Sequence, residues 1–265
     1  MSGASEARGG LTTQLLASKH ALVTGGSRGI GAAIARMLRA HGANVTITGR
    51  DEKRLKQAAH DLRAAYVVAE ISSQEQAATA VETARKETGR VDILVNNAGE
   101  AISASFLKTD VELWRKMLAV NLDGTFFFTR AALPAMLREG WGRIVNVAST
   151  AGLAGYAYVS AYCAAKHAVV GLTRSVAIEV ATKGVTVNAV CPGYTDTEMV
   201  RGSVEKIVGK TGKSSEAVLA ELISRNPQQR LVRPEEAANA VAWLCLPGSE
   251  AINGQCIAIA GGEIM

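Results

Sequence analysis

The sequence predicts an α/β fold, a doubly wound parallel sheet of about seven strands with helices on both faces. Two observations lead to this prediction. Short apolar runs rich in β-branched residues recur along the chain, and longer stretches of helical periodicity separate them. No linker, low-complexity tract or repeat interrupts this alternation, which indicates one domain over residues 19–265 after a polar, flexible N-terminal tail at residues 1–18.

Seven apolar runs are the expected strands, each bounded by Gly, Asn or Asp. In chain order they occupy residues 21–23, 45–47, 65–68, 93–95, 143–147, 185–187 and 257–259. After the first run, apolar residues at helical spacing predict a helix that packs on the sheet through Ile30, Ala33, Ile34, Met37 and Leu38. Residues 194–225 break the alternation with a Gly- and Lys-rich start and a helical end, which is typical of a substrate loop or lid.

The composition excludes several classes of protein. Of the 265 residues 48% are hydrophobic, enough for a sizeable core, yet no apolar run reaches the roughly 18 residues of a membrane-spanning helix. The 29 basic and 24 acidic residues give a net charge of +5, but no basic block favours nucleic acid as a partner. The start of the chain lacks an apolar leader and the four cysteines lack metal-ligand spacing, so we expect a cytoplasmic protein with reduced thiols and no metal.

A glycine-rich turn follows the first expected strand, with the spacing G-x-x-x-G-x-G over Gly25, Gly29 and Gly31. Glycines there let the backbone turn tightly and let a pyrophosphate approach the N-terminus of the next helix, whose dipole favours anions. Taken alone, such a turn is also compatible with a tight loop of no chemical role. Its place after the first strand favours a dinucleotide site that includes Thr24, Gly25, Ser27, Arg28, Gly29, Ile30 and Gly31.

The second expected strand ends at Gly49 and Arg50, where a site for NAD would place an acidic residue against the ribose hydroxyls. Two guanidinium groups, Arg28 in the glycine turn and Arg50, would instead attract a 2′-phosphate, so NADP(H) is the preferred cofactor. An arginine at a strand end is also a common surface residue, and Asp51 and Glu52 could supply a carboxylate. NAD(H) therefore stays open as the second cofactor.

Several motifs in a fixed order give the chain a resemblance to the short-chain dehydrogenases/reductases over about residues 18–262, and together they are highly specific. After the glycine turn come Asn96-Asn97-Ala98-Gly99, Asn121, Ser149, the Tyr162-x-x-x-Lys166 motif, and Pro192-Gly193 followed by Thr195 and Thr197. The resemblance implies a Rossmann-type fold and cofactor contacts from Glu70, Ile71, Asn97, Ala98, Gly99, Tyr162, Lys166, Pro192, Gly193, Thr195 and Thr197. Glu70 departs from the family pattern, in which Asp ends the third strand, and Asn97 could instead brace the central strands.

The resemblance assigns catalysis to Asn121, Ser149, Tyr162 and Lys166. Tyr162 and Lys166 are four residues apart, so they share one face of a helix. A lysine cation about 4 Å away would lower the pKa of a tyrosine by up to about 3 units, which predicts proton exchange with a carbonyl or alcohol oxygen near neutral pH. Ser149 would hydrogen-bond the same oxygen, and Asn121 would hold a water that links Lys166 to solvent. Outside such a set, a Tyr and a Lys at this spacing are usually a surface pair.

The segments around the expected site, residues 142–150, 160–171 and 187–193, resemble 3-oxoacyl-thioester reductases and type II polyketide ketoreductases. The resemblance implies NADP(H)-dependent reduction of a 3-ketoacyl thioester or a polyketide-type ketone, which Ser149 and Tyr162 would contact. Two alternatives stay open. One is an NAD-dependent dehydrogenase of a 3-hydroxyacyl-CoA or another secondary alcohol, and the other is a catalytically silent binding module.

The expected partners follow from the same resemblance. Lys206, Lys210 and Lys213 could meet a coenzyme A phosphate or an acidic acyl carrier protein, or could be solvated loop lysines. Helices around residues 103–135 and 155–183 correspond to the four-helix interface of tetrameric relatives, so a homotetramer is expected. Tyr156 and Tyr158 could line the substrate pocket or pack within their own loop.

Overall fold

The computed structural model describes residues 14–265, and it confirms the expected parallel sheet. Within these residues the sheet has seven strands in the spatial order β3-β2-β1-β4-β5-β6-β7. Every neighbouring pair is parallel. The strands are β1 (His20–Thr24), β2 (Asn44–Gly49), β3 (Ala65–Val68), β4 (Ile93–Asn96), β5 (Gly142–Val147), β6 (Val185–Pro192) and β7 (Cys256–Ile259).

Nine α-helices connect and cover these strands in the described part of the chain. They are α1 (Gly29–Ala40), α2 (Glu52–Leu62), α3 (Gln74–Thr88), α4 (Val111–Leu118), α5 (Gly124–Glu139), α6 (Ser160–Val180), α7 (Glu198–Thr211), α8 (Ser215–Ile223) and α9 (Pro234–Cys245). A single π-helical turn, Ala119–Asp123, joins α4 to α5. None of the helices described is both long enough and apolar enough to cross a membrane.

The helices form two layers because each buries one apolar stripe against the sheet. Helices α1, α2 and α9 cover one face, where Ile34 and Leu38 of the predicted α1 stripe are fully buried. Helices α3, α5 and α6 cover the other face around Phe128 and Met136. Full burial of side chains of this size stabilises the fold by about 1.5–3 kcal/mol each.

The strand order places a crevice between the carboxyl ends of β1 and β4. The chain runs outward from β1 to β3 on one side and returns to start β4 on the other, so the connections diverge at this point. Ligands of open α/β sheets bind in such crevices. Gly25, Asn97 and Gly193 directly follow β1, β4 and β6, and Ser149 comes shortly after β5. All four predicted residues therefore lie at the same edge of the sheet.

The folded part of the chain starts before the boundary that we expected at residue 19. Residues 15–18 form a turn in which Leu16 is only 1% exposed, and its backbone N–H donates to the carbonyl of His41 at 2.9 Å. An apolar side chain in an otherwise polar stretch gains from this burial, which explains the difference. The rest of the predicted tail, residues 1–13, lies outside the described residues.

The segment that we predicted as a substrate loop, residues 194–225, is mostly helical. The side chain of Thr197 caps α7 by accepting from the N–H of Val200, and that of Ser214 caps α8 by accepting from the N–H of Ala217. Between them Gly212 ends α7 with φ +70°, a left-handed conformation that glycine adopts without strain. These caps support two helices, of which α8 agrees with the predicted helical end and α7 replaces the predicted irregular start.

His20 is buried at the start of β1, although no role was predicted for it. Its burial makes the stability of the fold depend on pH. Its ring bonds the carbonyl of Gly89 at 2.7 Å and the hydroxyl of Thr46 at 2.8 Å, so Nδ1–H donates and neutral Nε2 accepts. Burial lowers the pKa of His20 below its usual 6.5 despite these bonds and the nearby Asp92. Because the folded-state pKa lies below the unfolded one, the neutral ring stabilises the fold above about pH 6.5, and this contribution is lost as the pH falls.

We expect the free energy of unfolding to fall from about pH 6.5 to 5 by up to about 1.4 kcal/mol per pH unit more in the wild type than in His20→Gln. Urea unfolding at several pH values measures this slope. His60→Gln is the control, because the His60 side chain is 85% exposed and should keep the wild-type slope. Equal slopes for the wild type and His20→Gln would show that His20 does not control acid stability.

Candidate active site

A cavity of about 410 Å³ opens at the carboxyl edge of the sheet, and its wall includes residues from every predicted motif except Asn121. The glycine turn and the ends of β2, β4, β5 and β6 form most of the wall, while α7 and α8 close it. The predicted site residues on the wall are Gly25, Ser27, Arg28, Gly29, Ile30, Gly31, Arg50, Ile71, Asn97, Ala98, Gly99, Ser149, Tyr162, Lys166, Pro192, Gly193, Thr195 and Thr197. Thr24, Glu70 and Asn121 are not part of it.

The glycine turn fits a pyrophosphate. Gly25 has φ +64°, and a Cβ at Gly31 would lie 2.2 Å from the carbonyl oxygen of Gly25, so neither position accepts a side chain. Helix α1 starts at Gly29 without a side-chain cap and without an acidic residue in its first turn. Its first N–H groups and its dipole are therefore available to an anion in the cavity.

Thr24 and Asn97 hold the crevice together. The Thr24 hydroxyl accepts from the backbone N–H groups of Asn97 and Ala98, both at 3.0 Å, and Asn97 Nδ2 donates to the carbonyl of Thr24 at 2.9 Å. These bonds tie the end of β1 to the end of β4. Thr24, which we predicted to contact the cofactor, is fully buried and acts through this bracing, because its hydroxyl points to β4.

Three arginines meet two carboxylates at the end of the cavity near β2. Arg28 Nη1 donates to Glu198 Oε2 at 2.6 Å, and Arg54 Nη1 donates to the same oxygen at 3.2 Å. The hydrogen bond from Arg28 is the main cause that holds the pKa of Glu198 below its usual range. Arg50 instead donates to Glu70 at 3.4 Å, and Glu70 does not line the cavity.

Arg54 and Glu198 were not predicted as site residues. Arg54 stands in the charged run Asp51-Glu52-Lys53-Arg54, which by itself is typical of a solvated helix face. Its place in the first turn of the helix after β2, close to Arg50, was the signal that could have identified it. Glu198 adjoins the predicted Thr197, but its contact with Arg28 spans 170 residues of chain and depends on how α7 packs.

Of the side chains predicted to be catalytic, Tyr162 and Lys166 lie on α6 and Ser149 follows β5. Lys166 is buried, and its Nζ donates to the carbonyl of Val147 at 2.9 Å while lying 5.7 Å from the ring centre of Tyr162. Ser149 begins a short 3₁₀ turn by accepting from the N–H of Ala151 at 3.1 Å. Ser149 and Tyr162 both line the cavity, and the Ser149 hydroxyl is close enough to Tyr162 to lower its pKa.

The expected effect of Lys166 on Tyr162 is wrong for the protein alone. Burial raises the pKa of Tyr162 to about 12, although the hydrogen bond from Ser149 opposes it, and burial lowers the pKa of Lys166 to about 8. The reason is that Lys166 Nζ bonds a backbone carbonyl rather than the tyrosine oxygen, while both groups are removed from water. Tyr162 consequently keeps its proton at neutral pH and can donate it to a substrate oxygen.

The π-helical turn between α4 and α5 holds Asn121 behind the cavity. Asn121 Nδ2 donates to the carbonyls of Glu100 and Met117 at 2.9 and 3.0 Å, and its side chain is fully buried. A Cβ at Gly99 would lie 2.8 Å from Asn121 Oδ1 and 3.6 Å from Lys166 Nζ. Gly99 therefore leaves the path between these two side chains open, and the bridging water stays a prediction.

Apolar side chains form another part of the cavity wall. Helices α7 and α8 contribute Met199, Val200, Ile207 and Leu222 to it. These four residues lie in the segment that we predicted as a substrate loop or lid, but the sequence did not single them out. Of the two tyrosines left open there, Tyr156 lines the cavity, whereas the exposed Tyr158 does not.

The Tyr156 side chain, which also lines the cavity, is held by a hydrogen bond and by ring packing. Its hydroxyl donates to Glu263 Oε1 at 2.6 Å, near the end of the chain, and its ring packs edge-to-face against Tyr194. The guanidinium of Arg225 lies 5.0 Å from the ring centre, outside the cavity wall. Tyr156 thus contacts the segment after α8 and the C-terminal segment at the cavity.

The fold and this site define a dinucleotide-binding oxidoreductase, and the chain belongs to the short-chain dehydrogenases, whose family profile matches residues 19–207. Enzymes of this family act on CH–OH groups. The chain is 38% identical over 256 residues to a D-beta-hydroxybutyrate dehydrogenase of Cupriavidus necator, covering 94% of this chain and 99% of the relative. It is 40% identical over 248 residues to an acetoacetyl-CoA reductase of Rhizobium meliloti, covering 93% and 98%.

A solved structure agrees with both fold and class. A variant of actinorhodin polyketide ketoreductase with NADPH superimposes with a TM-score of 0.89 and 38% identity, covering 93% of this chain and 97% of the other. The resemblance to ketoreductases that the motifs indicated is confirmed. The names of these relatives include both ketone reductases and an alcohol dehydrogenase. The substrate and cofactor preference of this chain must therefore be inferred from its own residues.

Proposed function

We propose that the protein is an NADP(H)-dependent reductase of an uncharged ketone, such as a 3-ketoacyl thioester or a polyketide-type ketone. The observation that carries this proposal is the mixed composition of the cavity wall. Cationic side chains suited to a phosphate come from the glycine turn, the end of β2 and the start of α2, and apolar side chains come from α7 and α8. Tyr162, with its proton retained, lines the same cavity.

The cofactor proposal rests on the residues around the glycine turn. The uncapped N-terminus of α1 suits the pyrophosphate, and the guanidinium groups of Arg28 and Arg54 suit a 2′-phosphate. The ketoreductase that shares this fold was solved with NADPH, which supports the same choice. The bound nicotinamide would supply the hydride for the carbonyl carbon.

The protein's own residues would manage the substrate oxygen. Tyr162 would donate its proton to that oxygen, and Ser149 would donate a hydrogen bond that stabilises the charge developing there. Lys166 would keep a positive charge close to Tyr162 and bind the ribose of the cofactor. Asn121 would connect Lys166 to solvent through water, so that the proton of Tyr162 is replaced after each turnover.

The charge distribution favours a neutral ketone over a free keto acid. Among the described residues, the cations on the cavity wall are Arg28, Arg50, Arg54 and Lys166. The first three lie at the cofactor end, and Glu100 adds a negative charge to the rest of the wall. A substrate carboxylate between α7 and α8 would lose its hydration without gaining a cation, which is costly.

The second candidate is an NAD-dependent dehydrogenase of a hydroxyacyl-CoA or another secondary alcohol. Glu198 and Asp51 favour it, because both carboxylates lie on the cavity wall near the arginines and would suit ribose hydroxyls. The name of the Cupriavidus necator relative points in the same direction. Binding of NADPH and NADH to the wild type separates the two candidates.

The assembly and location are further parts of the proposal. We propose a homotetramer, because helices α4 and α6 expose Val111, Trp114 and Ile178, apolar side chains that a partner subunit would cover. Light scattering of the purified protein tests it. We place the enzyme in the cytoplasm, where its free cysteines would stay reduced, with an acyl carrier protein or coenzyme A as the thioester carrier.

The substrate proposal predicts a strong preference between two ketones of similar size. With NADPH, kcat/KM for S-acetoacetyl-N-acetylcysteamine is expected to exceed that for acetoacetate about 100-fold, since burying an unpaired carboxylate costs several kcal/mol and about 2.7 kcal/mol already gives this ratio. Tyr162→Phe measures the background of both reactions. Equal or faster turnover of acetoacetate would contradict the proposal and favour a hydroxy-acid dehydrogenase.

A further inference from the structure

The ion pairs of Glu198 connect the cofactor end of the cavity with α7. Glu198 is the first residue of α7, and its carboxylate accepts from Arg28 and Arg54, which belong to the glycine turn and to α2. The next two residues of α7, Met199 and Val200, lie on the apolar wall. Glu198 thus bonds the two arginines and is also the first residue of the helix whose next residues line the cavity.

We propose that Glu198 competes with the 2′-phosphate of the cofactor for Arg28 and Arg54, so that binding of the phosphate releases the first turn of α7. This inference rests on the proposed NADP(H) preference. A guanidinium that already donates to a carboxylate must be shared or surrendered when a phosphate arrives. The three side chains are about half exposed, and ion pairs of this kind are weak enough for a phosphate to displace.

Through this competition Glu198 lowers the preference for NADP(H) that Arg28 and Arg54 would otherwise give. It disfavours a 2′-phosphate by its own charge and by occupying the donors, whereas a ribose with a free 2′-hydroxyl leaves its ion pairs intact. It also makes the position of α7 respond to which cofactor is bound, because the ion pairs are contacts of its first turn with the glycine turn and α2. Met199 and Val200 would then adjust to substrate only after the phosphate has bound.

Calorimetric titration with adenosine 2′,5′-bisphosphate and 5′-AMP isolates the 2′-phosphate from the rest of the cofactor. We expect Glu198→Gln to bind the bisphosphate about fivefold more tightly than the wild type, with 5′-AMP changed less than about twofold, the scale of one half-exposed charge interaction. Glu205→Gln removes the same charge from an exposed site on the same helix and should match the wild type. The gain should shrink as salt is added.

Hydrogen exchange of the amides in residues 198–202 reports the helix. The bisphosphate is expected to speed exchange there in the wild type and to have little effect in Glu198→Gln, where the ion pairs are already lost. Unchanged exchange in the wild type would contradict the release of α7. A thermal melt of each variant shows that it is folded.

The outcomes separate this inference from the proposed function. A wild type that prefers the bisphosphate, together with unchanged or weaker binding by Glu198→Gln, would overturn the competition and keep the NADP(H) proposal. A wild type without preference, together with a preference in Glu198→Gln, would support the competition and overturn NADP(H) as the natural cofactor. No preference in either protein would overturn both.

Discussion

Replacing Tyr162 by Phe is expected to lower kcat for ketone reduction about 1000-fold, within the range that general acid catalysis contributes. The variant loses the hydroxyl that faces Ser149 in the cavity and keeps the ring. Because burial raises the pKa of Tyr162 to about 12, the wild-type hydroxyl carries its proton at neutral pH and is ready to donate it. Steady-state NADPH oxidation with a saturating 3-ketoacyl thioester measures the loss.

The matched control is Tyr158→Phe, which removes a hydroxyl from the exposed tyrosine four residues earlier. Its kcat should stay within about twofold of the wild type, as expected for surface positions. Binding of NADPH to Tyr162→Phe, followed by its fluorescence, should remain close to wild type. A Tyr162→Phe protein with normal kcat would show that another group, or water, protonates the substrate.

Replacing Arg28 by Ala is expected to weaken NADPH binding roughly 10- to 100-fold, since hydrogen bonds to a charged group contribute about 1.5–3 kcal/mol. NADH binding should change less than about twofold, because that cofactor has no 2′-phosphate for the guanidinium. The dissociation constants come from the fluorescence of the two reduced cofactors. Their ratio, rather than either value, reports the phosphate contact.

Arg36→Ala is the control for Arg28→Ala, because Arg36 is exposed on α1, the helix that follows Arg28, and does not line the cavity. It should leave both dissociation constants unchanged. An equal loss of NADPH and NADH binding in Arg28→Ala would place the guanidinium on the pyrophosphate instead. Unchanged binding of both cofactors would remove Arg28 from the site altogether.

Much of the fold follows from patterns within short segments. All seven strands fall where β-branched runs predicted them, and β6 extends five residues beyond its predicted end because Asn188 and its neighbours are buried on both faces. Alternation of strands and helices predicts parallel pairing, since each connection is long enough for a crossover. The spacing of residues within a segment does not determine the order of the strands in the sheet. That order depends on how the helices and strands pack against one another.

Three of the proposed catalytic residues could be brought together from the sequence because they follow a strand or share one helix turn. The glycine turn, Ser149 and the Tyr162–Lys166 pair need only local geometry to reach the same edge. The contact of Arg54 with Glu198 joins residues 144 apart, and no short-range pattern marks it. The pKa of Tyr162 was wrongly predicted for a related reason, since burial depends on the whole fold and not on the spacing to a lysine.

Hydride transfer from NADPH to an uncharged ketone can be followed directly with an isotope. The measurement is reduction of 3-ketoacyl thioesters and cyclic ketones with NADPH deuterated at C4 on the transferred side, with the products analysed by mass spectrometry. We expect an alcohol with a single deuterium on the carbinol carbon, formed by the wild type and about 1000-fold more slowly by Tyr162→Phe. If these products carry no deuterium, and labelled alcohol forms only from deuterated NADH and a keto acid, the proposed NADPH-dependent ketone reduction is contradicted.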